Sequence, residues 1–141
     1  MKFIKALVVL TVTGVSNLGL ATVATARPYN VQCTSTGQFC DRAVQVNFTS
    51  DGPGTEYGVV VKAPATHCSD VSYLVYDSQG RLIGSTDFLA PSRVYNYLSL
   101  GRNVPRGSQS ILIRALGRNG GCNQGQLTSW GVEVTVSPVP Q

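Results

Sequence analysis

Arginine dominates the chemistry-bearing residues of this chain. Setting aside Lys2 and Lys5 near its start, eight of the nine remaining basic residues are Arg, and Lys62 is the one Lys. A guanidinium is a planar fork of donors that matches carboxylate, phosphate or sulfate groups. Arg102 and Arg106 lie in Gly101–Ser108, which reads as a long loop, and Arg81 follows a tight turn at 78–80. Arg93, Tyr95 and Tyr97 recur every second residue, the spacing that puts side chains on one side of a strand. Val94, Leu98 and Leu100 occupy the other side. If the aliphatic side is core, the tyrosines form an exposed aromatic strip. In the reverse register they are core. Arg81, Arg93, Tyr95, Tyr97, Arg102 and Arg106 are thus the candidate ligand-binding residues, suited to an acidic glycan or a protein partner. The plain alternative is a set of solvated connections.

Catalytic patterns are harder to find. The one imidazole, His67, adjoins Cys68, and no G-x-S-x-G elbow is present. Of seven acids, only Glu133 lies well inside an apolar alternation, on its polar side. Asp51 and Glu56 flank one loop, but their spacing matches no EF-hand. The chain is read as a non-enzyme, with no cofactor and no metal.

The elements that carry these residues begin after a leader. Lys2 and Lys5 precede an apolar stretch through Val12, and Ala24-Thr25-Ala26 offers small residues where a signal peptidase reads. Thr11, Thr13, Gly14, Ser16 and Asn17 interrupt that stretch well short of the ~18 apolar residues of a membrane span. The expectation is a cleaved signal peptide, residues 1–26, followed by one domain, residues 27–141, secreted or periplasmic, with no membrane span after cleavage. The leader looks bacterial. In that setting the Asn47-Phe48-Thr49 sequon carries no glycan.

Beyond the leader, nine basic residues face seven acidic ones, a balance too weak to imply nucleic acid. Cys33, Cys40, Cys68 and Cys122 are an even set without a C-x-x-C spacing, which in an exported small domain reads as two disulfides.

Short apolar runs separated by turn residues every 8 to 14 positions predict strands near 29–33, 43–49, 56–63, 71–77, 81–87, 93–100, 109–117 and 126–136. Val44, Val46 and Phe48 alternate with Gln45, Asn47 and Thr49, and Trp130, Val132, Val134 and Val136 with Ser129, Gly131, Glu133 and Thr135. A period of two puts one face on a core, so Trp130 is expected inside rather than as a ligand platform. The fold expected is an all-β antiparallel sandwich of seven or eight strands, immunoglobulin-like or jelly-roll-like, with two disulfides.

Each strand carries the chain from one pole of such a sandwich to the other. The connections at 34–42, 64–70, 88–92 and 118–125 then share one pole, and those at 50–55, 78–80 and 101–108 the other. All four cysteines fall at the first. This arrangement favours Cys33–Cys40 and Cys68–Cys122, although chain entropy does not discriminate against other pairings.

In general look the chain is similar to small exported immunoglobulin-like or jelly-roll modules. Unlike chaperone–usher pilins, it ends in a complete strand and a Pro-rich tail. The resemblance implies an architecture and no function. The function expected is an exported, non-catalytic binding or interaction module. The alternatives are a structural or accessory subunit of a cell-surface assembly, pairing through an edge strand such as 29–33 or 81–87, and a small secreted inhibitor or hydrolase.

Overall fold

The period-two runs of valine, isoleucine and tyrosine fold as strands, because β-branched and aromatic side chains pack well on a pleated, half-buried surface. The structure, a computed structural model, describes residues 26–120, 123–124 and 126–140. Apart from Ala26, the expected leader lies outside the described residues, as does Cys122. Eight strands build the body: β1 (Arg27–Gly37), β2 (Val44–Ser50), β3 (Tyr57–Lys62), β4 (Val71–Asp77), β5 (Leu82–Ser85), β6 (Val94–Gly101), β7 (Gly107–Gly117) and β10 (Leu127–Pro138). Two-residue β8 (Asn119–Gly120) and β9 (Asn123–Gln124) pair with each other between β7 and β10. No helix occurs among the described residues.

Two antiparallel four-stranded sheets result, in the orders β1-β10-β3-β6 and β2-β7-β4-β5. Among the eight main strands the first pairs with the last, the second with the seventh, the third with the sixth and the fourth with the fifth. This is one long hairpin wrapped over twice, the strand order of a jelly roll rather than of an immunoglobulin domain.

The inward faces supply the core: Val44 and Val46 from β2, Val59 and Val61 from β3, Tyr73 and Val75 from β4, Ile111 and Ile113 from β7, and Trp130 to Val136 at alternate positions of β10. Full burial of each such side chain contributes about 1.5–3 kcal/mol. Trp130 is 2% exposed and packs at 6.0 Å from the ring of Tyr73, so its inward placement agrees with the alternation.

The two poles are as expected from the reversals of the chain. At one, Cys40 N–H donates to Ala115 C=O and Gly117 N–H to Gln38 C=O, while Ala63 N–H reaches Arg93 C=O. At the other, Gly54 N–H donates to Arg102 C=O and Ser50 Oγ to Val104 C=O. The disulfide shown is Cys33–Cys40, which ties the second half of β1 to the connection before β2. The expectation of two disulfides is therefore met by one. None of the described cysteines is free, and the expected Cys68–Cys122 bond rests on a residue outside the described set.

The reading of β6 as one regular strand is corrected. Val59 pairs with Leu98 and Val61 with Tyr95, so β6 spends three residues where β3 spends two. Such a bulge reverses which face the following side chains point to. Tyr95 accordingly packs against the core together with Leu98, whereas Val94 is 44% and Tyr97 42% exposed. The two tyrosines do not share a face.

Candidate functional site

The pole opposite the disulfide gathers three of the six candidate residues. Arg81 stands at the start of β5, after the turn that leaves β4, and Arg102 and Arg106 bracket the loop between β6 and β7. A groove of about 410 Å³ runs between these two connections, lined by Asp77, Arg81, Asn103, Val104 and Pro105. Phe48 and Leu100 form part of its apolar wall.

Each arginine is held in the same manner. Arg81 Nε donates to Asp77 Oδ2 at 2.7 Å, and Asp77 Oδ1 accepts the backbone N–H groups of Gln79 and Arg81. These bonds, the Arg81 backbone first, hold the Asp77 carboxyl below its ordinary range. Arg106 Nε donates to the backbone carbonyl of Asp51 at 2.9 Å. That placement needs Gly52, whose φ is +106° and where a Cβ would come within 3.2 Å of Arg106 Cβ. Arg102 Nε lies 3.5 Å from Glu56 Oε2. The hydrogen bonds of all three use Nε, which fixes one edge of each guanidinium. Arg81 and Arg102 stay 76% and 62% exposed at the side chain.

Glu56 is the residue the sequence did not single out for this role. It reads there as a loop-flanking acid. Its Oε1 accepts the hydroxyls of Tyr97 and Ser99, its Oε2 faces Arg102, and its backbone C=O accepts Val139 N–H. The Tyr97 hydroxyl is the largest influence holding the Glu56 carboxyl below its ordinary value. The same bond raises the Tyr97 phenol. Tyr97 lies over Gly58 on the outer face of the sheet, where a Cβ would meet its ring at 2.6 Å. Glycine in a strand exposes backbone, and an aromatic ring laid over it restores the cover. Tyr97, Glu56 and Arg102 thus form one chain of contacts leading to the arginine pole. The hint available in the sequence was Gly58 inside an otherwise β-branched run.

The remaining candidates are placed elsewhere. Arg93 precedes β6 at the cysteine pole, and its backbone is engaged with Ala90 and Ala63. Tyr95 is half-buried against the core. Three of the other arginines are committed to partners of their own. Arg114 lies over the rings of Phe39 and Tyr76, Arg118 stacks on Phe88 and bonds Asp70, and Arg42 Nε donates to Thr34 Oγ1. Asp51, the other acid flanking that loop, accepts the Tyr57 hydroxyl at 3.2 Å.

The cysteine pole has a cleft of about 490 Å³ between β1, β10 and the 64–70 connection, lined by Asn30, Gln32, His67, Thr128 and Ser129 among others. His67 Nε2 accepts the Gly131 N–H at 2.9 Å, so the lone pair a general base would use is already engaged. No group of three or more potential metal ligands occurs among the described residues.

Comparison with known proteins adds little to this geometry. No family model matches the chain, and no curated protein matches it. Among solved structures, it is similar to the infectious bursal disease virus VP2 subviral particle, with a TM-score of 0.36, 14% identity, and 82% of this chain covering 33% of that one. The infectious bursal disease virus Gt strain structure gives a TM-score of 0.31 at 15% identity, with 92% of this chain covering 36% of that one. The chain thus spans about a third of the length of these neighbours. At TM-scores below 0.5 the likeness carries no argument about function.

Proposed function

We propose that this chain is an exported, non-catalytic binding module whose arginine pole takes an anionic group on an acidic glycan or a protein partner. The observation that supports this reading is the shared tethering of Arg81, Arg102 and Arg106 through Nε. A guanidinium fixed along one edge presents its terminal nitrogens with part of the ordering cost already met. Arg106 contributes most, because its partner is a carbonyl and its charge is not offset by a carboxylate. Tyr97, bonded to the same Glu56 that faces Arg102, extends the surface with an exposed ring. Loops braced on a rigid sandwich are the usual place for such recognition.

The leader, residues 1–26, and export to the periplasm or the outside of the cell belong to the same proposal. So does a second disulfide, Cys68–Cys122, bracing the cysteine pole. Peptide mapping under non-reducing conditions tests that bond directly.

The binding test is chromatography on an immobilised sulfated polysaccharide, with a neutral polysaccharide resin as control. Arg102→Ala combined with Arg106→Ala should elute at clearly lower salt than wild type. Glu56→Gln, which removes the carboxylate beside Arg102, should elute at higher salt. Melting curves of each variant establish that the fold is retained. Elution of the folded double variant at the wild-type salt concentration would sink the proposal.

A specific observation also favours the assembly reading. β1 and β2 are the edge strands on one side of the sandwich; the β2–β7 register runs without a bulge over seven residues, and β1 pairs regularly from Arg27 to Gln32 before its register shifts ahead of Gly37. β5, the other edge named from the sequence, carries a bulge between Val75 and Tyr76 pairing, a feature that discourages edge-to-edge addition. A concentration-dependent mass in solution would favour assembly through the β1–β2 side.

A further inference from the structure

The ladder between β10 and β3 runs from Pro138 opposite Tyr57 to Glu133 opposite Lys62. Two residues further on, the same register sets Gly131 opposite Pro64, where β3 has ended and the chain offers no N–H. A Cβ on Gly131 would come within 3.0 Å of Pro64 Cγ, so the two chains still approach closely. Gly131 nevertheless keeps both backbone groups bonded. Its N–H donates to His67 Nε2 at 2.9 Å, and its C=O accepts the Tyr73 hydroxyl at 2.8 Å. An imidazole and a phenol replace the missing strand.

The first of these bonds exists in one protonation state alone. A ring nitrogen that accepts from a backbone N–H must carry its lone pair, so the proton of neutral His67 sits on Nδ1. Nδ1 is buried without a hydrogen-bond partner among the described residues. An imidazolium has a hydrogen on both nitrogens and cannot accept at Nε2. Burial already disfavours that cation and lowers the His67 pKa from its ordinary value.

The charged groups on the surrounding elements are engaged elsewhere. Glu133 of β10 pairs with Lys62 of β3 at 3.4 Å, and Asp70, on the segment of His67 itself, bonds Arg118. Tyr73 of β4 stays protonated because burial raises its phenol. Asn30 and Gln32 of β1 and Thr128 and Ser129 of β10, which line the adjoining cleft, are uncharged.

We propose that the His67–Gly131 contact is an acid-released latch: protonation of His67 detaches the β3–β4 connection from β10 and loosens the cleft at the cysteine pole. The latch is independent of ligand binding at the opposite pole. His67 is the only histidine, so its ring C–H resonances report its titration without ambiguity.

The experiment is amide hydrogen exchange by NMR on the full domain at pH 7.5 and 5.0, corrected for intrinsic exchange. Val134, inside the β10–β3 ladder, serves as the internal reference. Across the His67 titration, Gly131 protection should fall about tenfold relative to Val134, the loss expected for one hydrogen bond of this kind. In His67→Gln, where an amide oxygen can accept without titrating, the ratio should be the same at both pH values. An unchanged Gly131-to-Val134 ratio in wild type while the ring titrates would overturn the proposal. So would an imidazole that does not titrate above pH 4.5. The wild-type measurement stands by itself if the Gln variant does not fold.

Discussion

Replacing Tyr73 by Phe tests how the two sheets are held at the point where β3 runs out. The ring is fully buried and packs on Trp130, and Phe keeps that packing. The substitution removes one hydroxyl, which donates across the sandwich to Gly131 C=O at 2.8 Å. A buried carbonyl left without a donor costs about 1–3 kcal/mol. For a domain of this size each kcal/mol moves the melting temperature by about 4–5 °C, so the expected drop is about 4–15 °C. Thermal and urea unfolding, followed through the single Trp fluorescence, measure it. The urea midpoint should fall with an unchanged m-value, because the surface exposed on unfolding is the same. A melting temperature within about 2 °C of wild type would refute the claim that the phenol substitutes for a ladder bond.

Three further outcomes follow from the same structure. Gly58→Ala should destabilise the fold and displace Tyr97, whose ring lies 2.6 Å from the new Cβ; Tyr97→Ala in the same chain should recover part of the loss, which a double-mutant cycle by urea unfolding reads as a favourable coupling. Replacing both Cys33 and Cys40 by Ala removes a short crosslink that contributes about 2.5 kcal/mol by chain entropy, and the loss should vanish when wild type is compared under reducing conditions. Stability should fall in two steps as pH is lowered. His67 binds its proton less readily in the fold than its ordinary value of 6.5, so the unfolded chain takes up protons first and stability declines as pH drops below about 6.5. Asp41, Glu56 and Asp77 are shifted down from 3.8, 4.5 and 3.8, so their contribution persists to about pH 4 and is lost as pH falls through their folded values. Urea midpoints from pH 8 to 3 should show both steps in wild type and the lower one alone in His67→Gln.

The strands were legible because burial writes itself into alternation. Val59 and Val61, Ile111 and Ile113, and Trp130 through Val136 each mark an inward face, and all are buried. The poles were legible as well, since every antiparallel strand reverses the chain and the reversals can be counted. Arg81 was legible as the residue that follows the turn at 78–80, while its ion pair with Asp77 was not read there. What pairing decides was not legible. The β6 bulge arises only when Tyr95 and Leu98 are set against Val61 and Val59, and it separates Tyr95 from Tyr97. Glu56 meets Tyr97 and Arg102 across more than forty residues of chain. His67 meets Gly131 across sixty-four, and the reason lies in Pro64 standing opposite, a register no local pattern announces.

Pairing of the first strand with the last sets an order of events. β1 leads the body, yet its ladder partner β10 follows roughly a hundred residues later. Closing so long a loop is slow, and a chain emerging from its N-terminal end must hold that strand unsatisfied until synthesis is nearly done. A fragment lacking the final strand leaves β1 without its ladder partner and exposes a run of unpaired backbone groups, so the two ends of the body order together or not at all.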